Sequence, residues 1–256
     1  MKTMLAFMKK EVTEHIRSGR AVILLILFVL IGIMNPAVAK LTPWLFEMMA
    51  ESFAESGMLV SAMPVTALDA WVQFFKNIPL GLIVFVLLES GVFTAEYRRG
   101  TLLLSLTKGL ERYKVVLAKT AVPVLVWTAG CWLCAGITCG YSAYFWDNSA
   151  VRNLLFSVAC WWLFGLWVTS LMILFSTVCD SNTGVLAGTG GVVLASVLLG
   201  LFPRIGRYLP TMLTDGNALI RGAAEPGAFY MPMAVAAGMA AVCFAISIPL
   251  FDRKQL

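Results

Sequence analysis

Hydrophobic and polar positions divide the chain into six long apolar segments and the connectors between them. The apolar segments cover approximately residues 21–39, 74–95, 115–145, 154–178, 185–203 and 231–251. Each is long enough, as a helix rising about 1.5 Å per residue, to cross roughly 30 Å of hydrocarbon. The pattern predicts an all-α integral membrane protein in which residues 1–256 form a single transmembrane domain of six helices.

The first nineteen residues have a different pattern, which predicts an amphipathic helix at the membrane interface. At about 100° per residue, one arc holds Met1, Met4, Leu5, Met8, Val12 and Ile16, and the opposite arc holds Lys2, Lys9, Lys10, Glu11, Glu14 and Arg17. Phe7 is the one side chain that fits neither arc. His15, the only histidine, lies at the edge of the apolar arc. Without an acid beside it in the pattern, it is interpreted as a headgroup contact rather than a catalytic group.

The distribution of basic residues predicts the orientation. Residues 1–20, 96–119 and 252–256 hold 13 of the 19 Lys and Arg, and residues 40–77, 146–153 and 204–230 hold the other six. The richer side is expected to be cytoplasmic, with both termini inside. Only 13% of the residues are charged and the mean hydropathy is +0.85, which excludes an ordinary soluble domain. Topology explains the net charge of +5 better than nucleic-acid binding does.

Two long connectors on the predicted outer side mix apolar and polar residues. In residues 41–70, aromatic and Met side chains stand among acidic ones, and residues 204–230 combine apolar residues with Pro, Gly and Asn. Both segments are compatible with surface loops that carry amphipathic helices. Both are also compatible with partial re-entry into the outer leaflet, where protein shelters the backbone. Residues 204–230 are therefore predicted to be an outer loop with re-entrant character.

The loop between the second and third spans contains a short helix signal. Thr101 is a good N-cap and Gly109 a good helix stop, so residues 102–108 are predicted to form about two turns. The leucines of this segment, Leu102, Leu103, Leu104 and Leu106, point around the helix and need cover on several sides. Docking against a partner protein would provide that cover. A tight hairpin with ordinary positive-inside charge is the alternative.

A resemblance to a known family bears on this choice. The motif Glu96-x-Arg98-x-Gly100-Thr101-Leu102, followed by Lys108-Gly109-Leu110-x-Arg112 and by Lys119, resembles the corresponding loop of ABC type-2 (ABC exporter) permeases. The preceding AWVQFFKNIPLGLIVFVLLESGVFTAEYRRGT and the final FDRK are also similar to that family. The resemblance implies that residues 98–112 form a cytoplasmic loop that couples this chain to a separate ATPase subunit. The implied coupling residues are Glu96, Arg98, Gly100, Thr101, Leu102, Leu103, Leu104, Leu106 and Arg112.

The resemblance also implies a function and a set of partners. It implies the permease subunit of an ATP-driven exporter in the bacterial cytoplasmic membrane, with drugs or antimicrobial peptides as substrates. The expected partners are two copies of an ABC ATPase subunit and a second permease, identical or homologous, within the lipid bilayer. The sequence leaves two alternatives: an ion-gradient carrier with Glu89 as its proton site, and a membrane sensor or anchor that moves nothing.

The motifs of an enzyme are missing from the sequence. There is no G-x-x-x-x-G-K-S/T phosphate loop, so ATP and Mg²⁺ are expected in the partner ATPase and no cofactor in this chain. There is also no HExxH or GxSxG, so no catalytic residue is predicted. Cys131 and Cys134 have CxxC spacing in apolar surroundings, which favours packing over metal binding or redox chemistry.

Within the spans, one acid and several glycines are candidates for special roles. Glu89 is expected to be costly in hydrocarbon and therefore to face protein or water. The Glu89 side chain is either a polar group on the transport path or at the subunit interface, or it forms a structural hydrogen bond to a neighbouring helix. The pairs Gly136/Gly140, Gly184/Gly188 and Ala187/Gly191 have the small-residue spacing of close helix contacts. These contacts are either within the chain or between subunits.

Overall fold

A computed structural model describes residues 2–54, 65–100, 107 and 111–254, and within these residues no strand occurs. The helices are α1 Lys2–Arg17, α2 Arg20–Ala54, α3 Ala67–Glu89, α4 Thr94–Arg99, α5 Arg112–Phe145, α6 Leu154–Val178, α7 Asn182–Gly200, α8 Pro203–Gly206, α9 Gly216–Ile220 and α10 Tyr230–Arg253. In the described ranges, six helical segments are long and apolar enough to cross a membrane. For the described residues, the structure confirms the prediction of an all-helical protein with six helices that are long and apolar enough to span a membrane.

The first spanning helix, α2, is longer than its apolar run. The run ends near residue 39, yet α2 continues to Ala54 through Pro36 and Pro43. Pro36 has no N–H for the carbonyl oxygen of Gly32, one turn earlier. The hydroxyl of Thr138, on α5, donates to that carbonyl at 3.1 Å. A neighbouring helix thus satisfies the group that Pro36 leaves free, and α2 continues past it.

The second predicted span is divided. Residues 74–95 are predicted as one apolar run, but α3 ends at Glu89 and α4 begins only at Thr94. At the junction, the hydroxyl of Ser90 donates to the carbonyl of Leu87 at 3.0 Å. The hydroxyl of Thr94 bonds to the side chain of Asn182, at the start of α7. The Thr94–Asn182 bond connects the junction to α7, and the Ser90 bond is local to the end of α3.

Helix α6 lies at the centre of the packing, with its most extensive contacts to α10. The larger hydrophobic core gathers rings from α2, α3, α5 and α6, including Phe28, Phe85, Trp127 and Trp167. Two glycines make room for these rings. A Cβ on Gly130 would lie 2.4 Å from the Phe28 ring, and one on Gly165 would lie 2.1 Å from the Trp127 ring. A smaller core, with Phe7, Phe93 and Phe251 among its members, lies where α1, the α3–α4 junction, α5 and α10 meet.

The connector between α7 and α10 is folded against the bundle. It contains α8, α9 and the 3₁₀ turns Pro210–Thr214 and Pro226–Phe229. Trp161, on α6, donates its indole N–H to the carbonyl of Thr214 at 3.0 Å. Gly216 lies against the ring of Phe75, which a Cβ would approach to 2.4 Å. The connector also buries four apolar side chains: Leu213, Leu219, Ile220 and Phe229. Protein therefore shelters much of this backbone, and its depth in the membrane stays a prediction.

Candidate functional site

Charged side chains from three helices form a buried ionic cluster, made of Lys10 and Glu11 on α1, Glu96 on α4 and Lys119 on α5. The Nζ atom of Lys119 lies 2.9 Å from Glu11 Oε2 and 3.1 Å from Glu96 Oε2. The Nζ atom of Lys10 lies 2.8 Å from Glu96 Oε1 and 3.3 Å from Glu11 Oε1. Lys119, Glu96 and Glu11 are only 2%, 4% and 8% exposed, whereas the Lys10 side chain is 43% exposed. The cluster therefore joins α1, α4 and α5 through ion pairs that are buried at Lys119 and reach the surface at Lys10.

Pairing with carboxylates favours the charged form of Lys10. Burial acts to lower the pKa of Lys10. The hydrogen bond to Glu96 and the charges of Glu96, Glu11 and Glu14 outweigh burial and raise this pKa above its ordinary value of 10.5. Lys119 also donates to the carbonyl of Val92 at 3.1 Å. Removing one partner from a buried pair typically costs about 3–5 kcal/mol, because the other charge is left uncompensated. The cluster is thus a rigid junction between the three helices.

The orientation of α1 differs from the sequence-based assignment of its faces. The side chains at successive intervals of four, Phe7, Glu11 and His15, are each 8% exposed and face the protein. The pattern predicts Glu11 on the polar arc, but the structure turns it toward the protein, where Lys119 and Lys10 compensate its charge. Phe7 fits no arc of the amphipathic pattern because it belongs to this third, protein-facing side. Two residues of the predicted apolar arc, Val12 and Ile16, are 41% and 56% exposed.

His15 has an acidic neighbour that the sequence pattern did not reveal. Its Nδ1 atom lies 3.5 Å from Oε1 of Glu89, the last residue of α3. The expectation that His15 has no paired acid is therefore wrong. Burial, and secondarily the charge of Arg20, lower the pKa of His15 below its ordinary value of 6.5. His15 is accordingly neutral at pH 7. Glu89, only 1% exposed, lies at the end of its helix beside α1.

A cavity of about 730 Å³ borders the cluster and the His15–Glu89 pair. Side chains from α1, the first residue of α2, the α3–α4 junction and α5 line it. Its wall includes basic residues that are separate from the cluster, namely Lys9, Arg17 and Arg20. Lys9 and Arg17 are exposed, so the cavity reaches the surface of the chain. A charged, accessible recess thus lies where α1 meets the spanning helices.

Three carboxylates beside this cavity have metal-ligand spacing. Oxygen atoms of Glu11, Glu14 and Glu96 all lie within 4.8 Å of one another. Lys10 Nζ is within 3.6 Å of each of the three, and Lys119 Nζ contacts two of them. The ammonium groups already occupy the position that a cation would take. The donor set therefore fits paired lysines rather than a divalent ion.

Of the predicted coupling residues, the structure describes Glu96, Gly100 and Arg112, together with the backbone of Arg98, which lies in α4. Glu96 belongs to the ionic cluster. Gly100 follows α4 with φ of +63°, the left-handed conformation that glycine adopts without strain. Arg112 donates through Nη1 to the carbonyl oxygens of Asp252 at 2.7 Å and Lys254 at 2.9 Å, which binds the start of α5 to the end of α10. The side chain of Arg98 and residues Thr101, Leu102, Leu103, Leu104 and Leu106 lie outside the described positions.

The predicted small-residue pairs divide into two groups. A Cβ on Gly188 would lie 2.4 Å from the Phe175 ring, and one on Gly184 would lie 3.2 Å from Cys179. These two glycines therefore pack within the chain. At Gly136, Gly140 and Gly191, no described atom beyond the chain neighbours and the nearby backbone of the same helix lies within 4 Å of a Cβ position. They lie on outward faces of α5 and α7.

Cys131 and Cys134 are both buried with free thiols. Both side chains belong to the larger hydrophobic core. The CxxC spacing places them on one side of α5, where they fill space among rings and aliphatic side chains.

A second polar network escaped the sequence analysis. Asn77 donates to Asn35 Oδ1 at 2.8 Å, and Asn35 donates to Thr138 Oγ1 at 3.1 Å. Thr138 in turn donates to Gly32, as described above. Asn35 and Thr138 are both fully buried, and the chain of bonds connects α3, α2 and α5. The available signal was the presence of Asn35 directly before Pro36 inside an apolar run.

Comparison with known proteins gives the family. The model of the ABC-2 family transporter proteins matches residues 5–256. No curated protein and no solved structure gave a significant match. The match covers α1, all six spans and the loop between the second and third spans. The chain therefore belongs to the ABC-2 transporter family, as a membrane permease component of an ABC transporter.

Proposed function

We propose that this chain is the permease subunit of an ATP-driven exporter, and that residues 98–112 couple it to a separate ATPase subunit. Two ATPase subunits and a second permease, identical or homologous, would complete the transporter in the bacterial cytoplasmic membrane. ATP and Mg²⁺ would be bound by the ATPase. Both termini would be cytoplasmic, as the distribution of basic residues predicts. The proposed substrates are drugs or antimicrobial peptides, on the resemblance of the coupling loop.

The observation that carries the proposal is the anchoring of residues 98–112 at both ends. On the N-terminal side, Glu96 is bound by Lys10 at 2.8 Å and lies 3.1 Å from Lys119. On the C-terminal side, Arg112 is bound to backbone carbonyls at the end of α10. A displacement of the loop by an ATPase would therefore act on α1, α5 and α10 together. This is the mechanical connection that coupling requires.

Helix α1 would lie along the inner membrane surface in this arrangement. Its outward side chains Val12 and Ile16 would contact lipid, while Phe7 packs in the smaller core. Lys10 and Glu11 would connect α1 to the coupling loop through Glu96. Movement of the loop would then be shared between the interfacial helix and the spanning helices.

The test is a charge in the middle of the proposed contact. Burying a leucine contributes about 1.5–3 kcal/mol, so Leu104→Asp should weaken co-purification of the ATPase and abolish substrate-stimulated ATP hydrolysis. Insertion of the permease should be unaffected, because the segment lies outside the predicted spans. Tyr144→Asp is the matched control, since Tyr144 is 81% exposed at the predicted outer end of α5. If Leu104→Asp retains both ATPase binding and coupled turnover, the segment is only a hairpin.

A further inference from the structure

The cavity beside α1 contains buried polar atoms without a hydrogen-bond partner among the described residues. Glu89 Oε1 and His15 Nε2 accept or donate no hydrogen bond there, although His15 Nδ1 lies 3.5 Å from Glu89 Oε1. Both side chains line the cavity, and they are 1% and 8% exposed. A buried carboxylate oxygen without a donor carries the full cost of its desolvation. The wall at Glu89 is therefore suited to a ligand that donates hydrogen bonds or carries positive charge.

The mouth of the same cavity is instead suited to a ligand group that carries negative charge. Lys9, Arg17 and Arg20 line it, and none of them forms an ion pair with another described residue. Lys10 and Lys119 are already paired with Glu11 and Glu96. The guanidinium of Arg20 extends toward the α3–α4 junction, where its Nη2 lies 3.8 Å from a Cβ position on Gly91. Arginine side chains of this kind bind phosphate oxygens through paired N–H donors.

The two helices that carry these basic residues also expose apolar side chains outside the cavity lining. Val12 and Ile16 on α1 are 41% and 56% exposed, and Val22 and Ile23 near the start of α2 are 49% and 51% exposed. Exposed aliphatic side chains on helices that line a charged recess suit a ligand with a polar head and hydrocarbon chains. A helix with this combination of faces lies in the membrane interface. A lipid of the same leaflet therefore fits better than a soluble phosphate ester.

We propose that the cavity is a binding site for the headgroup of an aminophospholipid. The phosphodiester is held by Arg17 and Arg20, and the primary ammonium donates to Glu89. Phosphatidylethanolamine has both groups. Phosphatidylcholine has the same phosphodiester but its quaternary ammonium has no N–H donor. The proposed lipid contacts are made by residues outside the coupling loop 98–112, although Glu96, which anchors that loop, also lines the cavity. The proposal does not depend on the identity of the exported substrate.

Native mass spectrometry of the delipidated full chain tests the proposal directly. Titration with phosphatidylethanolamine and with phosphatidylcholine should give a Kd at least about tenfold lower for the former, corresponding to about 1.4 kcal/mol. Glu89→Gln should remove most of that preference while leaving phosphatidylcholine binding unchanged. Arg20→Gln should weaken binding of both lipids. The headgroup comparison on the unmodified chain requires no variant, so it stands even if a variant fails to fold.

Two controls distinguish this cavity from other cationic positions, and a lipid headgroup from a soluble ligand. Arg204→Gln removes an exposed cation of α8 and should change neither Kd. Soluble phosphoethanolamine should bind far more weakly than the lipid. Equal affinity for the two lipids in the unmodified chain would overturn the proposal, as would equally strong binding of soluble phosphoethanolamine. Tighter binding of phosphatidylglycerol that persists in Glu89→Gln would show a patch for anionic lipids and would also overturn it.

Discussion

The Nζ atom of Lys119, on α5, lies 2.9 Å from Oε2 of Glu11, on α1, although 108 positions separate the two residues in the chain. This pair binds the first helix of the chain to the third span at the level of the loop that precedes that span. Glu96, within the family motif, lies 3.1 Å from the same ammonium. The charge of Lys119 therefore holds the N-terminal helix and the start of the proposed coupling segment in one junction.

Lys119→Met should be strongly destabilising. The substitution leaves the carboxylates of Glu11 and Glu96 with Lys10 alone, and loss of one partner from a buried pair costs about 3–5 kcal/mol. Thermal unfolding of the purified permease in detergent should show a clearly lower midpoint. Lys114→Met is the control, because Lys114 pairs with the exposed Glu111 and lies over the ring of the exposed Tyr113, so its loss should change the midpoint little. An unchanged midpoint for Lys119→Met would show that the cluster does not stabilise the fold.

The stability of the permease should fall in mild acid through His15. Burial and Arg20 lower the pKa of His15 from 6.5 in the folded chain, so the unfolded chain takes up a proton first as the pH falls. The stabilisation is present above pH 6.5 and is lost as the pH falls through 6.5 toward the lower folded pKa. Unfolding midpoints measured between pH 8 and 5 should decrease more in the parent than in His15→Gln. Parallel curves would contradict a buried neutral His15.

Thr138→Val should destabilise the contact between α2 and α5. The substitution keeps the shape of the side chain but removes the donor to Gly32 and the acceptor for Asn35. A buried polar group without its partner costs about 1–3 kcal/mol. The matched control is Thr169→Val, because among the described residues the hydroxyl of Thr169 donates only to the carbonyl of Gly165, in its own helix. Equal unfolding midpoints for the two variants would show that the network across the helices adds nothing.

The predicted orientation can be tested at two exposed positions. Helix α5 begins beside the end of α10, where Arg112 contacts the Asp252 carbonyl, and ends before Ser149. Asp252 and Ser149 thus lie at opposite ends of α5. In a background without native cysteines, an impermeant thiol reagent applied to intact cells should label Ser149→Cys but not Asp252→Cys. The reverse result would invert the topology.

The sequence alone determined the class of protein and the number of spans. Hydrocarbon imposes a minimum length on a spanning helix, so the apolar runs at 154–178 and 231–251 correspond closely to α6, Leu154–Val178, and α10, Tyr230–Arg253. The motif from Glu96 to Arg112 pointed to the family that the comparison established. These properties depend on local composition and on residues close together in the chain, which periodicity and motif spacing can register.

Only the tertiary structure decided how the polar residues within the bundle are paired. A helical pattern gives Glu11 a direction but no partner, and its burial is stable only because Lys119 arrives from α5. Likewise, the sequence does not show which group satisfies the Gly32 carbonyl that Pro36 leaves without a donor, and in the structure Thr138 of α5 does so. At the junction after Glu89, Thr94 bonds to Asn182 of α7. Long-range compensation of charge and hydrogen bonds has no signature in a single sequence, because the partners are brought together only by folding.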